Sequence, residues 1–246
     1  MMNVCTITCL KEVIQLVLLE NTSLNFHSLF EKHGQLLKID KGFQIFQEGD
    51  SAGNIYLVKQ GKIQISKETE SGKELTFRIC GKGSILGETT LFNKEIVHTT
   101  SANTLFPSEV YLLDKSSLEL LLTEQPALLI EYLKWLQNEN IKNQSLIRDL
   151  VMNGKKGALY STLIRLSNTY GESISDNVVY INFNLTNTDI ANLCSTSREM
   201  INRMLGDLRK QNIISMEKGY ITIHDLQYLK DEICCENCPL SICRID

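Results

Sequence analysis

Apolar positions change their period along the chain. The first 35 or so residues read as helical and loosely specified. From Leu36 to about Asp114, short apolar runs alternate with glycines. Ile55-Tyr56-Leu57-Val58, Ile63-Gln64-Ile65 and Leu75-Thr76-Phe77-Arg78-Ile79 read as strands. Turns at Gln60-Gly61-Lys62 and Ser71-Gly72-Lys73 separate them. Many short strands at near-regular spacing predict a small barrel or β-roll.

After Pro126 the period becomes helical. Leu129, Leu133 and Leu136 follow a 4,3 spacing that continues through Asn140, Asn143, Ile147 and Leu150. This heptad stripe with a polar middle suits two arrangements. One is a helix packed on its own domain; the other is a parallel dimer seam whose Asn residues fix the register. Asn153-Gly154-Lys155-Lys156-Gly157 reads as a hinge. Beyond it come a helix from Ala158 to about Tyr170, a strand at Val178 to Phe183, two short helices, a hairpin and a tail.

The two short helices carry a specific signal. Thr186-Asn187-Thr188-Asp189 resembles a capping box. Its helix runs through Ile190, Ala191 and Leu193, and a small-residue turn follows at Cys194-Ser195-Thr196. Ser197 then caps a second helix. Ile201, Met204, Leu205 and Leu208 form its apolar face, and Arg198, Glu199, Asn202 and Arg203 its polar one. Such a face fits a major groove. Arg bonds guanine O6 and N7, and Glu accepts from cytosine N4, so a G·C-containing half-site is expected. The hairpin Ile213 to Met216, turn Lys218-Gly219 and Tyr220 to Ile223 complete a winged helix-turn-helix.

Composition then narrows the function. The net charge of -4 argues against nonspecific coating of nucleic acid, but the local field at a reading head matters more than the total. Between Thr196 and Lys218 five basic residues face three acids, as phosphate contact requires. No apolar run spans a bilayer. Val13 to Leu19 is apolar but short and lacks a basic n-region and a small-residue cleavage site, so a cytoplasmic protein with no membrane partner is expected. The four histidines fall in no catalytic pattern and there is no phosphate-hydrolysis loop, so no enzyme is expected.

Eight cysteines are many for a reducing compartment. Cys5 and Cys9 lie near the start, Cys80 and Cys194 are isolated, and four crowd the tail. There the usable pattern is Cys235-x2-Cys238-x4-Cys243. Pro239 stiffens the turn, and Ile233, Leu240, Ile242 and Ile245 are candidates to exclude solvent. Three thiolates at this spacing suit an iron–sulfur cluster or zinc; thiol redox chemistry without metal is the third reading.

These features together resemble the cyclic-AMP receptor/FNR family of regulators over nearly all of the chain after about residue 25. Gly42-x2-Ile45-Phe46-x-Glu48-Gly49-Asp50 and Ile55-Tyr56-Leu57-Val58-x2-Gly61 resemble its effector domain, and Leu185 to Ser215 resembles its helix-turn-helix. The resemblance implies that Ser197, Arg198, Glu199 and Arg203 meet DNA, the last three reading a TGTGA-type half-site. Gly87-Glu88 with Leu91-Phe92 is similar to the family's phosphate cassette. Nucleotide-binding members, however, place Arg-Ser where this chain has His98-Thr99, and a cyclic phosphate needs the bidentate arginine. No cyclic-nucleotide site is therefore expected.

The tail looks like that of Bacillus-type Fnr regulators, which sense oxygen, as do Ile147-Arg148-Asp149-Leu150 and Gly154 to Tyr160. That resemblance implies a 4Fe–4S cluster on Cys235, Cys238 and Cys243, with Asp149 as a labile fourth ligand. The expected fold is α+β: an extension (1–25), a cyclic-nucleotide-binding-like β-roll (26–124), a dimerisation helix (125–153), a winged helix-turn-helix (154–228) and a cysteine tail (229–246). The function implied is oxygen-responsive control of anaerobic metabolism by a homodimer on double-stranded DNA with RNA polymerase. Structural zinc, thiol redox control and cyclic-nucleotide control are the alternatives.

Overall fold

The computed structural model describes residues 26–94 and 97–246. The extension at 1–25, with Cys5 and Cys9, lies outside the described residues. A short helix, α1 (His27–His33), leads into eight strands: β1 (Gln35–Ile39), β2 (Gln44–Phe46), β3 (Asn54–Gln60), β4 (Ile63–Glu68), β5 (Glu74–Cys80), β6 (Ile85–Leu86), β7 (Ser101–Thr104) and β8 (Ser108–Asp114). They form two antiparallel sheets, ordered β1-β8-β3-β6 and β2-β7-β4-β5. Phe46, Tyr56, Val58, Ile63, Ile65, Cys80 and Val110 fill the space enclosed by the roll. Gly61 turns β3 into β4 at φ +108, and a Cβ there would meet the Ser108 Oγ at 2.1 Å. Only glycine fits that turn.

Helix α2 (Lys115–Glu124) is capped by Asp114, whose carboxylate accepts from the Ser117 amide at 2.8 Å. Then α3 (Pro126–Met152) opens on proline, which the first turn tolerates. Its buried stripe is Leu128, Tyr132, Ser145 and Asp149. The first two pack on Phe26, Leu29 and Phe30 beside the roll. The heptad stripe is exposed in its middle. Leu133, Leu136 and Ile147 are exposed, Ile147 by 60%, as are Asn140 and Asn143. Its two ends, Leu129 and Leu150, pack on the chain's own N-terminal and C-terminal cores.

The expected hinge is shorter than the sequence suggests. Asn153 alone separates α3 from α4 (Gly154–Tyr170), with Gly154 at φ +61. Every α4 residue from Gly157 to Ser167 is buried, which marks a helix enclosed on all sides. Around it lie β9 (Gly171–Ser175), β10 (Val178–Ile181), α5 (Asn187–Leu193), α6 (Arg198–Lys210), β11 (Ile214–Glu217), β12 (Tyr220–Ile223) and α7 (Leu226–Glu232). The four strands form one sheet, β11-β12-β10-β9. The whole is a mixed α+β chain, with the sheet-rich and helix-turn-helix halves joined by long helices. No helix among the described residues is long and apolar enough to cross a membrane.

Candidate metal centre and nucleic-acid interface

Helices α5 and α6 form the capped pair that the sequence predicts. Thr186 and Asp189 make a reciprocal capping box. Ser197 accepts from the Met200 amide at 3.3 Å. Ile201, Leu205 and Leu208 are buried against the C-terminal core and Met204 packs on it. Ser197, Arg198, Glu199, Asn202 and Arg203 are exposed. Among the described residues no ion pair ties up Arg198, Glu199 or Arg203. The wing turns at Lys218-Gly219, both at positive φ, as a tight two-residue hairpin needs.

The β-roll encloses a cavity of about 310 Å³ between its strands and α3, lined by Phe46, Arg78, Glu88, His98, Asn143 and Ile147 among others. His98 is 4% exposed and lies flat on Phe46, centroids 3.8 Å apart and planes 9° apart. Burial lowers its pKa, with Asp50 opposing, so the ring is held neutral. Thr99 is exposed. The cavity's guanidinium, Arg78, is engaged by Glu88 at 2.5 Å and Glu139 at 2.9 Å. A cyclic phosphate would find no uncommitted arginine among the described residues lining this cavity. Titration with cyclic AMP is therefore expected to give neither heat nor a melting shift; a stabilising shift at micromolar nucleotide would contradict this reading.

The tail folds back beside the junction of α3 and α4. Cys234 and Asn237 take left-handed backbone. The Cys235 amide donates to Lys230 O at 2.9 Å, and the Cys243 amide to Pro239 O at 3.0 Å. These bonds bring the loop round so that Cys235, Cys238 and Cys243 line one cavity of about 170 Å³ with Asp149. Arg148, Ser161, Ile164, Ile233, Cys234 and Glu236 complete much of its wall. The three thiols are half-buried and Cys234 is exposed. Burial raises the Cys243 pKa. Of the four apolar tail residues expected to exclude solvent, Ile242 and Ile245 are buried and Ile233 partly so. Leu240 instead points outward, 68% exposed, because the turn at Pro239 projects it away from the cavity.

Asp149 is 5% exposed and fully hydrogen-bonded. Its Oδ2 accepts from Ser161 at 2.5 Å and Arg165 at 2.7 Å; its Oδ1 accepts from Arg148 Nε at 3.0 Å and Nη2 at 2.8 Å. Burial works against its charge, but the bonds from Ser161, Arg165 and Arg148 outweigh that and lower its pKa. Arg165, 1% exposed, is the hub. It also donates to Ser145 Oγ at 2.8 Å and to the carbonyls of Ile242 and Arg244 at 3.3 Å each. Arg165, Ser161, Ser145, Arg148 and Glu236 were not singled out by sequence reasoning.

Among the described residues no three His, Cys, Asp or Glu side chains converge tightly enough for one metal ion. A zinc site needs all its donors within about 2.3 Å of one atom. A cluster distributes its ligands over several irons, so it requires thiols around a cavity rather than around a point. Three half-buried thiols and one carboxylate facing one cavity fit that demand. Two guanidiniums beside them offset the anionic donors.

Beyond the cysteines the tail is bound to three elements. Asn168 donates to Cys243 O at 2.8 Å, and the Ile245 amide to Thr169 Oγ1 at 3.0 Å, both acceptor and donor side chains lying on α4. The Ile79 amide of β5 donates to Ile245 O at 3.0 Å, and Lys142 of α3 to Asp246 O at 3.1 Å.

Two family profiles match the sequence: a cyclic nucleotide-binding domain over residues 36–125 and a Crp-like helix-turn-helix domain over 157–232. The chain is 49% identical over 225 residues to the anaerobic regulatory protein of Bacillus subtilis strain 168, covering 91% of this chain and 94% of that protein. It is 25% identical over 197 residues to a CRP-like cAMP-activated global transcriptional regulator of Mycobacterium tuberculosis, covering 79% and 87%. Among solved structures, the c-di-GMP-responsive global regulator CLP of Xanthomonas campestris superposes with a TM-score of 0.71 at 21% identity, covering 80% of this chain and 97% of that one. FixK2 of Bradyrhizobium japonicum gives 0.68 at 16%, covering 80% and 96%. Two matching domain profiles, a relative at nearly half identity and a shared fold lead to one conclusion: the chain belongs to the CRP/FNR family of transcription regulators and is not an enzyme.

Proposed function

We propose that this protein is a cytoplasmic, oxygen-responsive regulator of anaerobic metabolism, active on DNA when a 4Fe–4S cluster is held by Cys235, Cys238, Cys243 and Asp149. The observation that carries this reading is the shared cavity of those four residues, at the junction of the long helix, the buried helix and the tail. The anaerobic role of the Bacillus subtilis relative supports the physiological part. The cluster, when bound, supplies the oxygen-labile element.

The chain's own residues supply the coupling. Arg165 holds α3, α4 and the tail backbone together through Asp149, Ser145, Ser161, Ile242 and Arg244. Ile245 carries the tail onto β5. The cysteine loop thus pulls on the helix that leads into the winged domain. The exposed stripe of Leu133, Leu136, Asn140, Asn143 and Ile147 serves as the homodimer seam. There the two copies of α6 stand one helical turn of DNA apart, and a loosened tail changes that spacing.

At the reading head, Arg203→Ala is expected to cost about 1–3 kcal/mol at its base pair and to relax preference there. Lys218→Ala, on the wing, should weaken all sequences alike. Fluorescence anisotropy on a TGTGA-containing palindrome and on single-base variants separates the two patterns. Equal losses on every sequence would remove Arg203 from base reading.

The ligand assignment is tested by metal analysis after anaerobic reconstitution with iron and sulfide. About four irons and four sulfides per chain are expected. Colourless protein that retains zinc through purification would overturn it.

A further inference from the structure

The two oxygens of Asp149 are held by unlike partners. Oδ2 is bonded by Ser161 and Arg165, which are 3% and 1% exposed. Withdrawing it would strand a buried guanidinium, so that side of the carboxylate is fixed. Oδ1 is bonded by Arg148 alone, whose side chain is 29% exposed and lines the cysteine cavity. A long, half-exposed arginine can move its head group into water at little cost.

Arg148 does more than cover one oxygen. Its Nη1 is paired with Glu236, in the loop between Cys235 and Cys238. It also lines the same cavity as the Cys238 thiol. One guanidinium therefore joins the carboxylate to the turn between two of the thiols.

We infer that Arg148 is a displaceable counter-ion that stands in for iron at Asp149 and latches the cysteine loop shut in the metal-free protein. Loading the site requires Arg148 to release Oδ1, while Ser161 and Arg165 keep Oδ2 in place as positioning residues. The same arginine waits beside the site to recapture Oδ1 when a ligand bond opens. Arg148 thereby makes the carboxylate a contested ligand and hastens the loss of the metal. The inference rests on the cluster assignment for its loading half, and its latch half stands without it.

Arg148→Gln and Glu236→Gln both change half-exposed or exposed side chains, and Arg148→Lys keeps the charge without the fork. In iron-free protein, amide hydrogen exchange over residues 233–243 is expected to quicken several-fold in Arg148→Gln and Glu236→Gln. The rest of the chain should be unchanged, and Arg148→Lys should fall between. In reconstituted Arg148→Gln, the visible absorbance is expected to appear faster and to bleach several-fold more slowly in air than in the wild type. Unaltered exchange in iron-free Arg148→Gln overturns the latch. Bleaching as fast as or faster than the wild type overturns the competition. If the wild type takes up no iron, the cluster assignment fails, and the exchange measurement still decides the latch.

Discussion

Arg165→Met is expected to destabilise the protein by about 3–5 kcal/mol, the cost of breaking a buried ion pair by removing one partner. In a chain of this size that lowers the melting midpoint by on the order of 10 °C. Asp149 would remain almost fully buried with Ser161 and Arg148 as its only donors. Ser145 would lose the guanidinium that donates to its hydroxyl, and Ile242 O and Arg244 O would lose theirs. The loss is therefore concentrated where the tail meets α3 and α4. Arg165→Met combined with Asp149→Leu should be less destabilised than the sum of the singles, because the stranded charge is gone. Additive losses by calorimetry would mean that the pair is not coupled. A midpoint within about 2 °C of the wild type in the single variant would contradict the role of Arg165 as hub.

Cys243→Ser is expected to remove the cluster and with it the oxygen-dependent part of DNA binding. The serine keeps the size of the side chain and leaves the backbone bonds to Pro239 and Asn168 available. The tail can then stay docked while a soft thiolate is replaced by a poor iron ligand. Anaerobic affinity for the palindrome should fall by about 5–150-fold, the usual range of a coupling free energy between sites. The value reached should match that of air-exposed wild type. Cys234→Ser, at an exposed thiol on the same loop, should leave iron content and affinity unchanged. Equal losses in both variants would point to general thiol chemistry instead of a ligand set.

The reading head was the part of the molecule most plainly written in the chain. Capping residues, a 3.6-residue apolar face and a two-residue wing turn are local signals, and Thr186, Ser197 and Lys218-Gly219 fold as they predict. The β-roll strands follow their short apolar runs and glycine turns for the same reason. The heptad stripe could not be assigned from spacing, since a heptad faces any apolar partner; in the fold its middle is exposed while Leu129 and Leu150 pack on the chain's own cores. The hinge was overestimated because glycine and lysine read as a loop, whereas Asn153 alone separates the two helices and Gly154, at φ +61, already opens the second. The candidate metal centre was visible only in its cysteines. Arg165 and Ser161 are far from the tail in sequence, and their partnership with Asp149 depends on how α3, α4 and the tail pack. No periodicity encodes such a contact. The outward turn of Leu240 likewise follows from the geometry around Pro239, not from its hydrophobicity.

The most direct test is DNA binding by one anaerobically reconstituted sample, measured before and after air, with iron and visible absorbance followed in parallel. The predicted result is tight, footprinted binding to a TGTGA-type palindrome that falls in step with the absorbance and returns on renewed anaerobic loading. Binding that is equal in loaded, bleached and iron-free protein would contradict control of the reading head by the cysteine tail.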